Sequence, residues 1–260
     1  MSTEVRVVGA GKGWQWLVDG YALFRRSPAN WFALTLIFGL IWLSSLFIPL
    51  VGPLLFNLFS PLLFAGLMIG CRALEEGKPL EVPTLFATFK THAAPLVTVG
   101  GVYLVGTIIV LGIVLIVAGG SLLPTLMKSG ADIETVRAAV RSLAVALAIG
   151  AAIYLPLIMV IWFAPMLVVF DGMAPVPAMK LSFEACLKNT LPFLVYGLAI
   201  LGAWMVLSLP AVFGPLGAAV MVAFFVLSIP VLICSIYVSY KDVFQPARGP
   251  EAGGGNPFLR

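Results

Sequence analysis

Charge is scarce in this chain, and the side chains that do most catalytic work are scarcer still. Asp, Glu, Lys and Arg make up 10% of its 260 residues, against roughly 25% in an ordinary soluble domain. The scarcity is uneven: residues 27–71, 91–127, 142–170 and 189–240 carry no charged side chain at all. There is a single histidine, His92, and no HExxH or paired histidine–carboxylate spacing that would hold a metal. Cys71, Cys186 and Cys234 are scattered with no CxxC, so free thiols are expected rather than a disulfide framework. Val7-Val8-Gly9-Ala10-Gly11-Lys12-Gly13 has the look of a nucleotide loop but fails its test. Trp14 stands where the dinucleotide pattern needs glycine, and Gly13 where the phosphate loop needs Ser or Thr. A flexible glycine entry to a helix is the better reading. The acids near the charge-free runs, Asp19, Glu75, Glu76, Glu81, Asp171 and Glu184, show no catalytic spacing. No catalytic residue, metal or cofactor is expected, and the chain is not read as an enzyme.

What is present is hydrocarbon. Hydrophobic residues are 61% of the chain and its mean hydropathy is +1.10. A membrane span takes about 20 residues, so the first and last charge-free runs each hold two helices and the middle ones hold one apiece. That makes six spans. A barrel would alternate apolar and polar over about 10 residues, whereas these runs are apolar on every face. In hydrocarbon each unpaired backbone group costs several kcal/mol, which helices avoid. Trp31 to Leu50 contains twelve Leu, Ile or Phe residues, worth roughly −4 to −7 kcal/mol on the insertion scale. The expected fold class is therefore all-α: a polytopic membrane helical bundle with six transmembrane helices.

The spans are expected as three hairpins, each preceded by an amphipathic interfacial helix. Trp14, Leu17, Val18, Tyr21 and Phe24 recur at three- and four-residue steps before Pro28. Val82, Leu85, Phe86 and Phe89 do the same before Pro95, and Met179, Phe183, Cys186 and Leu187 before Pro192. A cation sits at each boundary. Such helices lie among headgroups with rings at the boundary and cations toward phosphate, so the candidate lipid-interface residues are Trp14, Trp16, Tyr21, Arg25, Arg26, Phe89, Lys90, Phe183 and Lys188. Ile48-Pro49-Leu50-Val51-Gly52-Pro53 and Leu209 to Pro215 are charge-free turns that echo one another, where Gly52 and Gly214 permit positive φ. Gly66 and Gly70 form a small-residue face suited to a close neighbour. The middle hairpin's connection, Ser121 to Arg141, is instead long and charged, with Asp132 as an N-cap, and Pro156 and Pro165 are expected to bend the helix that follows.

The domain reading is a flexible leader over 1–13, a single transmembrane domain over 14–240 and a disordered cytoplasmic tail over 241–260. Units within it run about 14–74, 81–170 and 176–240, as parallel internal repeats. Twelve of the fifteen Lys and Arg residues fall on the side holding both termini, against Lys128, Arg137 and Arg141 opposite. The positive-inside rule then places both termini of a multi-pass membrane protein in the cytoplasm.

Gly13-Trp14-Gln15-Trp16-Leu17-Val18-Asp19-Gly20, then Phe24-Arg25-Arg26-Ser27-Pro28 with Trp31, resembles the opening of an uncharacterised proteobacterial family of inner-membrane proteins. The Pro49 to Pro53 turn and the exit Arg72-Ala73-Leu74-Glu75-Glu76-Gly77 are similar to that family too. The resemblance implies a multi-span inner-membrane protein with no assigned activity, and brings no catalytic residues. The functional expectation is a non-enzymatic membrane factor that binds lipid, including anionic lipid, or a protein partner or second copy; nucleic acid is not expected. The alternative is a small transporter or permease for apolar or zwitterionic cargo, for which a cavity lined by Ser44, Asn57, Tyr103 and Tyr154 would speak.

Overall fold

In the computed structural model, residues 4–127 and 133–244 are described, the side chains of 120–127 excepted. Among the described residues there is no strand, and the chain is all-α. Six of its helices are long and apolar enough to cross a membrane: Pro28–Ser45, Val51–Glu75, Ala93–Gly119, Ile133–Phe170, Thr190–Phe213 and Pro215–Phe244. The protein is a polytopic membrane protein, and helices are the means by which a chain pairs most of its backbone groups in hydrocarbon. Asp132 and residues 245–260, the expected N-cap and tail, lie outside the described residues.

The chain divides into two compact units, one joining the residues up to Pro28 with those from Lys188, the other running from Ala29 to Leu187. The first contains α1 (Lys12–Phe24), α9 (Thr190–Ser208) and α10 (Pro215–Phe244). The second contains α2 (Pro28–Ser45, from Ala29), α3 (Val51–Glu75), α4 (Ala87–Thr91), α5 (Ala93–Met127), α6 (Ile133–Trp162), α7 (Ala164–Phe170) and α8 (Pro175–Lys188). The second amphipathic segment is not one α-helix. It is a 3-10 turn, Val82–Phe86, running into the short α4.

A repeat joins the hairpins. Pro61 of α3, Pro156 of α6 and Pro230 of α10 stand at the same distance from the last residue of each descending span, Glu75, Phe170 and Phe244. On these segments the amphipathic elements dock. The 3-10 turn lies on Gly66 of α3, where a Cβ would collide with the Leu85 carbonyl, and Thr88 Oγ1 donates to the Leu62 carbonyl at 2.8 Å. Here the small-residue face does receive a close neighbour. On α6–α7, Ser182 of α8 accepts from the Phe163 N–H at 2.9 Å and donates to the Met159 carbonyl at 2.7 Å. Those two backbone groups would bond each other in an unbroken helix, so the hydroxyl is inserted into the ladder. The expected bend therefore falls at Phe163, about two turns beyond Pro156, which stays inside α6, and just before Pro165 in the first turn of α7. On α10, Gly20 of α1 meets the Ser235 backbone. Each amphipathic element thus packs on the hairpin before it, and α1 takes the hairpin at the other end of the chain.

The leader is not loose over its described part. The Arg6 N–H donates to the Val243 carbonyl at 2.9 Å. Val8 N–H donates to Asn189 Oδ1 at 2.9 Å, and Asn189 Nδ2 donates to the Arg6 carbonyl at 3.0 Å. A buried asparagine that satisfies two backbone groups is a clamp, because neither group then faces apolar surroundings unpaired. Asn30 does similar work in the other unit, donating from Nδ2 to the Leu80 carbonyl at 3.0 Å just before the 3-10 turn.

The two apolar tips are built differently. At the third hairpin Gly214 takes φ 83, as expected. At the first, Gly52 does not take the positive φ. It lies in the first turn of α3, where a Cβ would collide with the Ser45 carbonyl, and its absent side chain is what lets the two helices meet. Gly217 does the same against the Pro210 carbonyl. The positive φ falls on Leu50, at φ 65 and ψ −54, with Val51 N–H donating to the Pro49 carbonyl at 2.8 Å. This is a γ-turn of the strained hand, costing on the order of 1–3 kcal/mol for a residue with a Cβ.

Candidate lipid and partner interface

α1 shows two faces. Gly13, Trp16, Gly20 and Leu23 recur at three- and four-residue steps and are all buried. A Cβ on Gly13 would strike the Pro192 carbonyl, so this glycine serves close packing on α9 and not flexibility. Trp16 is 0% exposed, its ring 5.2 Å from Phe193 and 6.0 Å from Tyr196. Its Nε1–H donates to Asp242 Oδ2 at 3.0 Å, and Lys12 Nζ lies 3.3 Å from the same oxygen. A tryptophan needs a partner for its N–H when buried, and Asp242 supplies it. Trp16 therefore does not belong with the lipid-facing candidates: it is the anchor that ties α1 to α10. Next to it, the Tyr196 hydroxyl lies 2.6 Å from Ser235 Oγ, which itself donates to the Leu232 carbonyl and so accepts from the tyrosine.

The opposite face keeps Trp14, 60% exposed, and Tyr21, 51% exposed. The Arg25 guanidinium lies 5.7 Å above the Tyr21 ring, and Arg26 is exposed beside it. Trp14, Tyr21, Arg25 and Arg26 are thus gathered on one exposed side of α1 and its end. On the second element Leu85 turns inward, while Phe89 and Lys90 are exposed and Phe89 stacks on Phe59 at 6.4 Å. On α8 the inward face is Ala178, Met179, Ser182, Ala185 and Cys186; Phe183 is half-buried and Lys188 exposed. Burial pushes the Cys186 thiol up to about 12, which keeps it protonated and unreactive. The three cysteines are buried free thiols.

The four polar side chains expected to line a cavity make bonds of three separate kinds. Ser44 donates to its own helix at Ile41, and Asn57 to Pro53. Tyr103 and Tyr154 bond each other at 2.6 Å, joining α5 to α6. At the end of α3, Glu76 accepts from Lys78 at 2.7 Å and from Arg72 at 3.2 Å. These bonds, Lys78 first, hold its carboxyl below the usual carboxylate value. Arg72 also lies 5.1 Å from the Phe170 ring. His92 Nδ1 is 2.8 Å from Thr91 Oγ1. Among the described residues no three His, Cys, Asp or Glu side chains gather as a metal site.

The buried stripe of α1 was missed from sequence because half of it is glycine, which a hydrophobic count ignores. Its signal was there: small and large residues alternating as Gly13, Trp16, Gly20 and Leu23.

No protein-family model matches the chain, and no solved structure matches it. A probable inner membrane protein of Burkholderia thailandensis is 31% identical over 254 residues, covering 91% of this chain and 92% of that protein. With six membrane-capable helices and a likeness running through nearly all of both sequences, this chain belongs to that family of proteobacterial inner-membrane proteins.

Proposed function

We propose that the protein is a non-enzymatic inner-membrane factor that binds anionic lipid through its amphipathic elements, with both termini in the cytoplasm. The observation that carries this reading is the division of α1 into two faces. One face is fixed by Trp16 and Asp242, so the other is held in place with Trp14, Tyr21, Arg25 and Arg26 exposed. Rings at the headgroup boundary with cations beside them suit an anionic leaflet, each cation adding about 1 kcal/mol. The same chemistry recurs at Phe89 with Lys90 and at Phe183 with Lys188. The basic asymmetry of the sequence supports the orientation.

The test is native mass spectrometry of the gently extracted protein. Arg25→Gln with Arg26→Gln is expected to lower retained phosphatidylglycerol while thermal stability stays within about 0.5 kcal/mol. Retention equal to that of the unchanged protein would refute the lipid reading. For orientation, a cysteine replacing Ile133 is expected to react with a membrane-impermeant reagent on intact spheroplasts, and one replacing Gly77 is not. The reverse pattern would invert the topology. Transport of apolar or zwitterionic cargo is the less supported reading, since Ser44 and Asn57 bond within their own helices and Tyr103 and Tyr154 bond each other.

A further inference from the structure

The first hairpin's tip holds a strained leucine where its counterpart in the third hairpin holds a glycine. Gly214 takes positive φ without cost, whereas Leu50 at φ 65 carries a Cβ that this backbone conformation disfavours. Among the described residues, little packs against that side chain. Leu50 is 83% exposed and Phe47 beside it is 82% exposed.

The position of the tip says what it is. α2 has 18 residues and is therefore about 27 Å long, close to the roughly 30 Å of a bilayer's hydrocarbon. Residues 27–71 carry no charge, so a span of this length beginning at Pro28 brings residues 46–51 to the far hydrocarbon boundary. None of them carries a charge. We propose that Phe47, Ile48 and Leu50 form an anchor seated among lipid acyl chains at the hairpin's far end, the γ-turn serving to aim Leu50 outward. This surface is distinct from the lipid contact proposed for the amphipathic elements.

The experiment uses the full chain in lipid vesicles, with Leu50→Cys carrying a bimane fluorophore and the three buried native cysteines changed to alanine. Phosphatidylcholine bearing a nitroxide on its acyl chain is expected to quench the label, and iodide present on both sides of the membrane is not. Quenching by iodide would place the tip in water and overturn the proposal. Protection from both quenchers would place it against protein, a partner or a second copy, and would overturn it equally. If the Leu50 variant does not insert, the same label at Phe47, outside the γ-turn, is read by the same criteria. Loss of lipid retention in the Arg25 and Arg26 variant leaves these outcomes unchanged, so the two readings fail separately.

Discussion

The second and third hairpins cross the same thickness of apolar surroundings, yet they are closed by different means. Between α5 and α6 the helices are zipped along their length. Gly106 receives Leu157, with 2.6 Å from its ideal Cβ position to the leucine Cδ1, and Gly150 receives Val114. Ser142 reaches across to the Val117 carbonyl at 3.0 Å, and Tyr103 meets Tyr154. Between α9 and α10 two large rings, Trp204 and Phe225, touch at 5.1 Å beside a cavity of about 330 Å³. Among the described residues, a Cβ added at Gly197 or Gly202 of α9 would meet nothing within 4 Å beyond its own helix. The second hairpin closes on itself, and the third is held at its base by α1. Glycine content alone would not separate them, because within a span a glycine tightens packing only where something approaches it.

The largest effect is expected where the third hairpin borrows its closure. Trp16→Ala removes a buried ring and leaves Asp242 without its indole donor, and should cost about 3–5 kcal/mol in thermal unfolding. Trp14→Ala, on the opposite face, should fall within about 0.5 kcal/mol. Equal losses would mean that α1 does not distinguish its faces. Next in size, Gly150→Leu should cost about 1–3 kcal/mol by overpacking against Val114 and Val110. Gly202→Leu should be nearly neutral, and a comparable loss there would erase the contrast between the two hairpins. The smallest effect is expected from Tyr103→Phe, which removes one interhelical hydrogen bond of the second hairpin. Such bonds average about 0.6 kcal/mol in membranes and reach about 1.7. A loss well above that range would mark the tyrosine pair as more than a rung in the zipper.

The six spans were legible in the sequence because hydrocarbon allows so few solutions: long charge-free runs must be helices, and proline-bounded turns must reverse them. The exposed positions of Trp14, Tyr21, Arg25 and Arg26 followed from helical spacing. Trp16 did not, since two tryptophans two residues apart both look interfacial until one finds a carboxylate more than two hundred positions away. Gly52 was misread for a related reason. Glycine in a turn suggests positive φ, but close approach is its other use, and only the position of the Ser45 carbonyl decides between them. The shared placement of Pro61, Pro156 and Pro230 could not be read from the sequence, because it is measured from helix ends that only the structure fixes.

The docking of α1 on α9 and α10 also bears on how the protein is made. Chains grow at about 5–20 residues per second, so α1 exists for on the order of ten seconds before its receiving helices are synthesised. During that interval Gly13, Trp16, Gly20 and Leu23 have no partner, and the membrane surface is the nearest apolar shelter. A ribosome stalled anywhere before Asp242 would leave Trp16 lacking its acceptor. The last residues of α10 are then the point at which the earliest-made helix is recruited, and assembly is completed by its return.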